Sequence, residues 1–149
     1  METLEQTFPG VIAFIGGNHE NHALLNGRPI KPWHGGGVHE AGARVLHLMR
    51  GEIYNIYGNC IFCLGGARSS DKDRREEGIS WWREEEASAE EITAAGARFL
   101  KHIDEIDYVI SHETPLFARE QITRTKEIEA DYKLPEELEA WYRLIAASS

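Results

Sequence analysis

The sequence predicts an α/β protein in which short apolar strands alternate with amphipathic helices. Apolar runs at residues 11–15 and 108–111 each end in a polar turn, as strands of a buried sheet do. The stretch after Ser88 instead repeats apolar residues at helical spacing. A chain of 149 residues is long enough for one domain, because it can bury ~68–70% of its unfolded surface.

The first half of the chain is predicted to be mostly strand. Residues 11–15 form a buried strand, and residues 21–26 a short helix that ends before Gly27 and Pro29. The following short apolar runs are separated by single glycines, which indicates an antiparallel meander with tight turns. Its predicted strands are residues 38–39, 44–49, 52–57 and 59–64.

The second half is predicted to contain two helices and one strand. Residues 71–86 form a charged loop, in which at least one of Trp81 and Trp82 is expected to be largely buried, as a packing anchor and not as a base-stacking surface. The sequence Ser88-Ala89-Glu90-Glu91 fits a capping box and begins an amphipathic helix. A buried strand follows at residues 108–111, and a last helix at residues 135–147.

Polar side chains follow the first strand directly, in the sequence Gly16-Gly17-Asn18-His19. The glycines allow a ligand to approach the backbone closely. A carboxamide oxygen is a hard metal ligand, and an imidazole can bind a metal or act as a general acid. An ordinary Gly-Asn turn is the alternative interpretation of this segment taken alone.

His112 repeats the same pattern at the end of residues 108–111. Two such strand ends in one sheet predict that Asn18 and His112 lie close together. The other five histidines are expected to have structural or surface positions. His47 is predicted to pack within a strand, and the surface set is His22, His34, His39 and His102.

Further landmarks extend the pattern around Asn18 over residues 11–115. In order along the chain they are Gly17-Asn18-His19-Glu20-Asn21, Trp33-His34-Gly35-Gly36-Gly37-Val38-His39, His47-Leu48-Met49-Arg50-Gly51, Gly65-Gly66-Ala67 with Asp71-Lys72, Trp81-Trp82, and Asp107-Tyr108-Val109-Ile110-Ser111-His112. This series resembles a bacterial branch of the calcineurin-like metallophosphoesterases. The resemblance implies a partial sandwich of α/β/β/α layers with mixed sheets.

The resemblance also implies a reaction, namely hydrolysis of phosphate mono- or diesters by water that two divalent metal ions activate. Asn18 and His112 correspond to ligands of the second metal. His19 corresponds to the catalytic histidine that contacts the phosphoryl group and assists the leaving oxygen. The implied cofactors are two ions of Mn, Fe, Zn or Mg in the complete enzyme, with at most a partial site in this chain.

The chain departs from the family pattern at both ends. The Asp-x-His and Gly-Asp motifs that precede the Asn-His turn are absent, and so is the final Gly-His-x-His motif. Residues 1–149 are therefore expected to be a single domain, incomplete at both ends, with little activity by itself. The alternative is a degenerate, non-catalytic domain that serves as a binding or interaction module.

The net charge of −9 lies entirely beyond Ser70. This acidic surface makes nucleic acid an unlikely partner, because nucleic-acid affinity depends on Lys and Arg displacing counterions. A small phosphate ester stays the expected substrate, since metal ions can neutralise it. The chain has no apolar stretch of about 18 residues and no secretion leader, so no membrane contact and a cytoplasmic location are expected.

Cys60 and Cys63 have the Cys-x-x-Cys spacing of redox and zinc motifs. Both fall inside the predicted strand at residues 59–64, where side chains three apart point to opposite faces. A zinc site would also need a second cysteine pair. They are expected to be reduced, buried cysteines.

Overall fold

The structure, a computed structural model, describes residues 4–123 and 131–148. Strands and helices alternate along the chain, as the sequence predicts. In chain order the elements are α1 (Leu4–Thr7), β1 (Ile12–Ile15), α2 (His22–Asn26), β2 (Ile30–Trp33), β3 (Gly36–Glu40), β4 (Val45–Leu48), β5 (Glu52–Ile56), β6 (Asn59–Leu64), α3 (Ala89–Lys101), β7 (Tyr108–Ser111), α4 (Leu116–Thr123) and α5 (Leu134–Ser148). Two short 3-10 turns, Lys72–Arg74 and Arg83–Glu85, lie in the predicted charged loop.

The strands form two mixed sheets, which confirms the α/β class. The first sheet has the order β1-β4-β3-β2, with β1 parallel to β4 and the other pairs antiparallel. The second has the order β5-β6-β7, with β6 parallel to β7. Each sheet thus has one parallel pair of strands at one edge. The edge strands of these pairs are β1 and β7, which precede the candidate site.

Local sequence signals explain where the helices begin. The Asn21 side chain accepts a hydrogen bond from the backbone of Leu24 and caps α2. Ser88 and Glu91 form the predicted capping box at the start of α3. Two elements are not predicted from the sequence, namely α4 and β2. Strand β2 contains Pro32, which an edge strand tolerates because one side of its backbone needs no partner.

The predicted meander is wrong at Gly51. Strands β3 and β4 pair in the first sheet, but the chain then passes to the second sheet, where β5 pairs with β6. Gly51 has a φ of 74°, and a Cβ there would lie 2.7 Å from the Cβ of Ala95 in α3. Only glycine fits both this backbone angle and this close approach to the helix. The crossover therefore depends on tertiary packing that strand patterns do not reveal.

One core lies between the two sheets. Val38, Leu46 and Leu48 of the first sheet pack against Tyr54 and Cys63 of the second. The Tyr54 hydroxyl donates to the Gly37 carbonyl at 2.7 Å and accepts from the Met49 N–H at 2.8 Å. These two bonds tie β5 to the first sheet and satisfy the buried phenol.

A second core lies between the other face of the second sheet and helices α3 and α5. Phe62 of β6 contacts Phe99 of α3 and Trp141 of α5, with ring centroids 5.2 and 5.9 Å away. Phe62 and Cys63 thus point into different cores, as alternation along a strand requires. Cys60 and Cys63 are both free thiols; Cys63 is buried as predicted, whereas Cys60 is only half-buried, and burial raises the pKa of Cys63 to about 12.

The predicted burial of the strands that precede the site is wrong. Val11 is 51% exposed, and Tyr108, Val109 and Ile110 of β7 are 40–57% exposed. Both β1 and β7 lie at a sheet edge in the described part of the chain, so each has a paired neighbour on one side only. No helix among the described residues is long and apolar enough to cross a membrane.

The hydroxyl of Tyr54 is expected to contribute measurably to stability. Tyr54→Phe leaves the Gly37 carbonyl and the Met49 N–H without this partner, so the free energy of unfolding should fall by about 1–3 kcal/mol in urea denaturation. Tyr57→Phe is the matched control, because Tyr57 is fully exposed at 100% and should leave stability unchanged. Equal stability of the Tyr54→Phe protein and the parent would contradict this role.

Candidate functional site

The candidate site lies where the two sheets meet at the ends of β1 and β6. The Gly66 N–H donates to the Gly16 carbonyl at 2.7 Å. A Cβ at Gly65 would lie 2.9 Å from the same carbonyl oxygen, so a larger residue would force the two strand ends apart. The glycines therefore bring the turn after β1 against the second sheet.

Asn18 and His112 lie together in this seam, which confirms the predicted proximity. The Asn18 Oδ1 atom and the His112 Nε2 atom are 3.1 Å apart, although the residues are 94 positions apart in the chain. The prediction that they share one sheet is wrong, since β1 belongs to the first sheet and β7 to the second. The His112 ring packs on Gly17, where a Cβ would lie 3.0 Å from the ring.

A chain of hydrogen bonds from the protein interior orients the Asn18 amide. Its Nδ2 atom donates to the Ser69 Oγ at 3.0 Å, which leaves Oδ1 facing His112. Ser69 in turn donates its hydroxyl and its backbone N–H to the carboxylate of Glu85, at 2.8 and 2.6 Å. Both Ser69 and Glu85 are almost fully buried, at 1% and 0% exposure. The amide is thus held by groups that water does not reach.

A second buried carboxylate fixes the segment after β7. Glu113 accepts a hydrogen bond from the Tyr132 hydroxyl at 2.7 Å, and it forms an ion pair with Arg119 at 3.3 Å. The Tyr132 hydroxyl also accepts from the backbone N–H of Arg68 at 3.0 Å. This chain connects the residue that follows His112 to the residue that precedes Ser69. Both sides of the candidate site are therefore anchored to one network.

His19 is exposed at the mouth of the site, on the turn after β1. The hydrogen bond from Arg75 holds the pKa of Asp71, in the 68–86 segment, below its usual range. An exposed imidazole can exchange protons with solvent and reach a bound ligand. His19 therefore has the freedom that a proton donor needs, whereas Asn18 is fixed.

The donor set at the seam fits two ligands of one divalent ion. Two adjacent ligand atoms at bond lengths of ~2.0–2.2 Å lie ~3 Å apart, close to the separation of the Asn18 and His112 atoms. In the parts of the chain that the structure describes, no group of three or more His, Cys, Asp or Glu side chains is placed to hold a metal. The seam thus offers one amide oxygen and one imidazole nitrogen as ligand atoms.

Three buried histidines lie behind the turn, and the prediction of surface positions for two of them is wrong. His22 and His39 are each 4% exposed, and His47 is 8% exposed. His22 donates to the Gly17 carbonyl at 3.0 Å, and His39 and His47 share a hydrogen bond of 3.1 Å. His34 is exposed as predicted, and His102 is half-exposed. The sequence pattern around His22 and His39 does not indicate that these polar side chains are buried.

Burial lowers the pKa of all three buried imidazoles. The pKa of His47 falls from 6.5 to about 4, mainly through burial and also through the charges of His39, His22 and Arg50. Burial likewise lowers the pKa of His22 and of His39. Near neutral pH the cluster is uncharged, so it supports the turn without adding positive charge beneath the site.

Arg50 holds the segment that carries Glu85 in place. Its guanidinium donates to the backbone carbonyls of Glu84 and Gly65, both at 2.9 Å, and pairs with the Glu91 carboxylate at 2.8 Å. The Arg50 side chain is only 12% exposed. A single cation thereby joins the end of β6, the loop before α3 and the first turn of α3.

The sequence gives little sign of Ser69 and Glu85. Ser69 follows a third strand end and the glycine pair after β6, which is the one signal that could have suggested it. Glu85 lies in a run of three glutamates that resembles a solvated acidic surface. Trp81 and Trp82 are both more buried than exposed, which agrees with the expectation that at least one indole is largely buried.

Comparisons with protein-family models, curated proteins and solved structures find no match to this chain. The chemistry of the seam is therefore inferred from its side chains and their geometry.

The buried histidines predict a loss of stability in acid. A group whose folded pKa lies below its unfolded value is protonated more readily when unfolded, so its contribution is present above pH 6.5 and is lost towards about pH 4. His47 alone should lower the free energy of unfolding by about 1–2 kcal/mol between about pH 7.5 and about pH 5. Urea denaturation at the two pH values measures this change.

Two variants test whether His47 is the cause. His47→Gln should reduce the difference between the two pH values. His34→Asn, at an exposed histidine with a φ of 48° that asparagine tolerates, should keep the parent's difference. The same pH dependence in the His47→Gln protein as in the parent would contradict the assignment.

Proposed function

We propose that this chain carries part of the active site of a metal-dependent phosphoesterase that hydrolyses phosphate mono- or diesters. Asn18 and His112 are the proposed ligands of one divalent ion, and His19 is the proposed catalytic residue. The observation that supports this most is the 3.1 Å separation of Asn18 Oδ1 and His112 Nε2 across two sheets.

The hydrogen bonds beneath Asn18 support a ligand role for its oxygen. Rotation of an asparagine amide by 180° swaps the positions of its oxygen and nitrogen. Here Ser69 accepts a hydrogen bond from Nδ2, and Glu85 accepts one from the Ser69 hydroxyl, so one orientation is fixed. The acceptor oxygen is therefore directed outwards before any ligand arrives. Such support from residues behind a ligand is typical of metal sites and raises their affinity.

The proposed role of His19 is to hold a proton for the leaving oxygen. A divalent ion at Asn18 and His112 would supply charge neutralisation of the phosphoryl oxygens. His19 is exposed beside that point and can donate its proton as the ester bond breaks. The charged form of His19 would also attract the phosphoryl group before reaction.

The fold is compatible with a calcineurin-like sandwich as the finer assignment. Two sheets pack on each other, and helices α3 and α5 cover the outer face of the second sheet. This arrangement corresponds to three successive layers of an α/β/β/α sandwich. We propose this fold family on the resemblance of the sequence landmarks and on this layering.

A non-catalytic binding module is the second candidate. It is favoured by the lack, within the described residues, of a third His, Cys, Asp or Glu at the seam. A two-ion site needs a carboxylate that bridges both ions. In the proposed enzyme that carboxylate comes from outside the described residues, whereas the binding module has none.

Metal binding tests the ligand assignment directly. Mn²⁺ should broaden the NMR signals of the Asn18 amide and the His112 ring, because a paramagnetic ion relaxes nearby nuclei. Asn18→Ala and His112→Ala should each weaken Mn²⁺ binding by more than ~10-fold in calorimetry, and Ser69→Ala by ~10-fold through loss of amide orientation. His34→Asn is the control, at an exposed histidine in the turn between β2 and β3, and should bind Mn²⁺ as the parent does.

Either of two results would contradict the assignment. One is Mn²⁺ broadening elsewhere in the protein with Asn18 and His112 unaffected. The other is unchanged affinity in both ligand variants while circular dichroism shows that they are folded.

Hydrolysis tests the proposed role of His19. In the natural gene product, His19→Ala should lower Mn²⁺-dependent hydrolysis of a p-nitrophenyl phosphate ester by ~10²–10³-fold, with metal affinity unchanged. A fall in metal affinity of the same size would identify His19 as a ligand instead. Metal binding at the seam with no hydrolysis by the natural gene product would favour the binding module.

A further inference from the structure

Strand β7 is an edge strand with the sequence pattern of an interior strand. Tyr108, Val109 and Ile110 form an apolar run, which is typical of a strand that is covered on both faces. Each of the three is nevertheless 40–57% exposed. Val109 is opposite Phe62 of β6, on the face that packs against α3 and α5. Ile110 is opposite Cys63, on the face towards the first sheet. In the described part of the chain, neither face is therefore fully covered at β7.

Two of the other edge strands are protected against a further strand, and β7 is not. In β2, Pro32 lacks a backbone N–H donor. At β5, His34 accepts a hydrogen bond from the Asn55 N–H at 2.8 Å, and its ring donates one to the Asn55 carbonyl at 2.9 Å. Strand β7 contains neither proline nor a charged side chain, the usual devices that keep an edge from pairing. Its free edge is thus open to an added strand.

An apolar groove of about 450 Å³ lies beside this edge. It is lined by Val109 of β7, by Phe117 of α4 and by residues of α5 that include Trp141 and Tyr142. The rings of Phe117 and Tyr142 are in contact, with centroids 5.1 Å apart, and both are partly exposed. Apolar side chains that enter the groove would remove this aromatic surface from water.

The combination of a free strand edge and an apolar groove fits an extended peptide. Alternate residues of β7 direct their backbone N–H and C=O groups away from β6. An extended peptide can pair with these groups as an added strand and direct every second side chain towards the groove. A small apolar molecule would fill the groove but would not use the edge.

Charge favours a basic segment of another protein over a second copy of this chain. Among the described residues, Asp107 is the one charged residue in the lining of the groove. Its carboxylate accepts a hydrogen bond from the Cys60 N–H at 2.8 Å, and no described Lys or Arg pairs with it. Asp107 would attract a Lys or Arg of the bound segment. Two copies of the chain, each with a net charge of −9, would repel each other.

From these observations we infer that β7 and the groove bind an extended segment of a separate protein, with apolar side chains and at least one basic residue. The segment adds a strand to the second sheet, places an apolar side chain in the groove next to Val109, and places its Lys or Arg next to Asp107. This docking surface is independent of the proposed hydrolysis, because it involves neither Asn18 nor His19.

A synthetic peptide of the stated chemistry tests the inference. The probe is acetyl-Lys-Thr-Val-Phe-Val-Thr-Lys-amide, added to the ¹⁵N-labelled 149-residue chain. It should shift the NMR amide signals of Tyr108–Ser111 and slow their exchange with solvent, with a dissociation constant of ~1 mM or tighter. Replacement of both valines by proline removes backbone donors and should weaken binding by about tenfold or more. Replacement of both lysines by glutamate should also weaken binding by about tenfold.

Variants of the protein locate the binding surface. Val109→Lys places a charge at the edge and should weaken peptide binding by about tenfold or more. Val11→Lys is the matched control, the same change at an exposed valine beside β1, and should change the affinity less than about twofold. Asp107→Asn keeps an acceptor for the Cys60 N–H but removes the charge, so it should reduce the preference for lysine over glutamate peptides by about threefold. Circular dichroism checks that each variant is folded.

Four results would overturn the inference. The first is the absence of any shift of the β7 signals at ~1 mM peptide. The second is equal binding of the proline peptide, which would show that the groove binds side chains without an added strand. The third is a dimer of the chain in sedimentation that protects the β7 amides, which would assign the edge to a second copy. The fourth is protection of these amides in the natural gene product without peptide, which would assign the edge to a segment of its own chain.

Discussion

The close backbone contact between Gly16 and Gly65–Gly66 is the constraint on which the rest of the structure depends. It joins the carboxyl end of β1 in one sheet to that of β6 in the other, at 2.7 Å between amide nitrogen and carbonyl oxygen. Because β7 runs parallel to β6, its end and His112 are brought to the same place. A side chain at Gly65 would force the two strand ends apart, and one at Gly66 would collide with Arg50 and with the Glu85 carbonyl.

Buried polar groups then specify the orientation of the site. Glu85 is fully buried, which would be costly for an isolated carboxylate, but it accepts two hydrogen bonds from Ser69. Arg50 lies behind it and bonds the backbone of the same segment. A network of this kind stabilises the protein little relative to an apolar core, but it holds one arrangement of groups. Here the group so held is the Asn18 amide.

The site combines a fixed part with an accessible part. Asn18 is held from below, and the uncharged cluster of His22, His39 and His47 packs behind the turn. His19 and His112 are exposed. In the proposed esterase, the fixed amide oxygen would bind the metal ion and the exposed His19 would supply the proton.

The sequence by itself determined the local structure and part of the site. Apolar runs, the Ser88 capping box and strand-end polar residues predicted β1, α3, β7 and the closeness of Asn18 to His112, because each depends on short-range preferences and on where strands end. Only the tertiary structure decided that the two residues belong to different sheets, that the chain leaves the meander at Gly51, and that Glu85 is buried. These features depend on contacts between segments distant in sequence, such as Gly51 with Ala95 and Ser69 with Glu85. The spacing of residues along the chain does not predict such contacts.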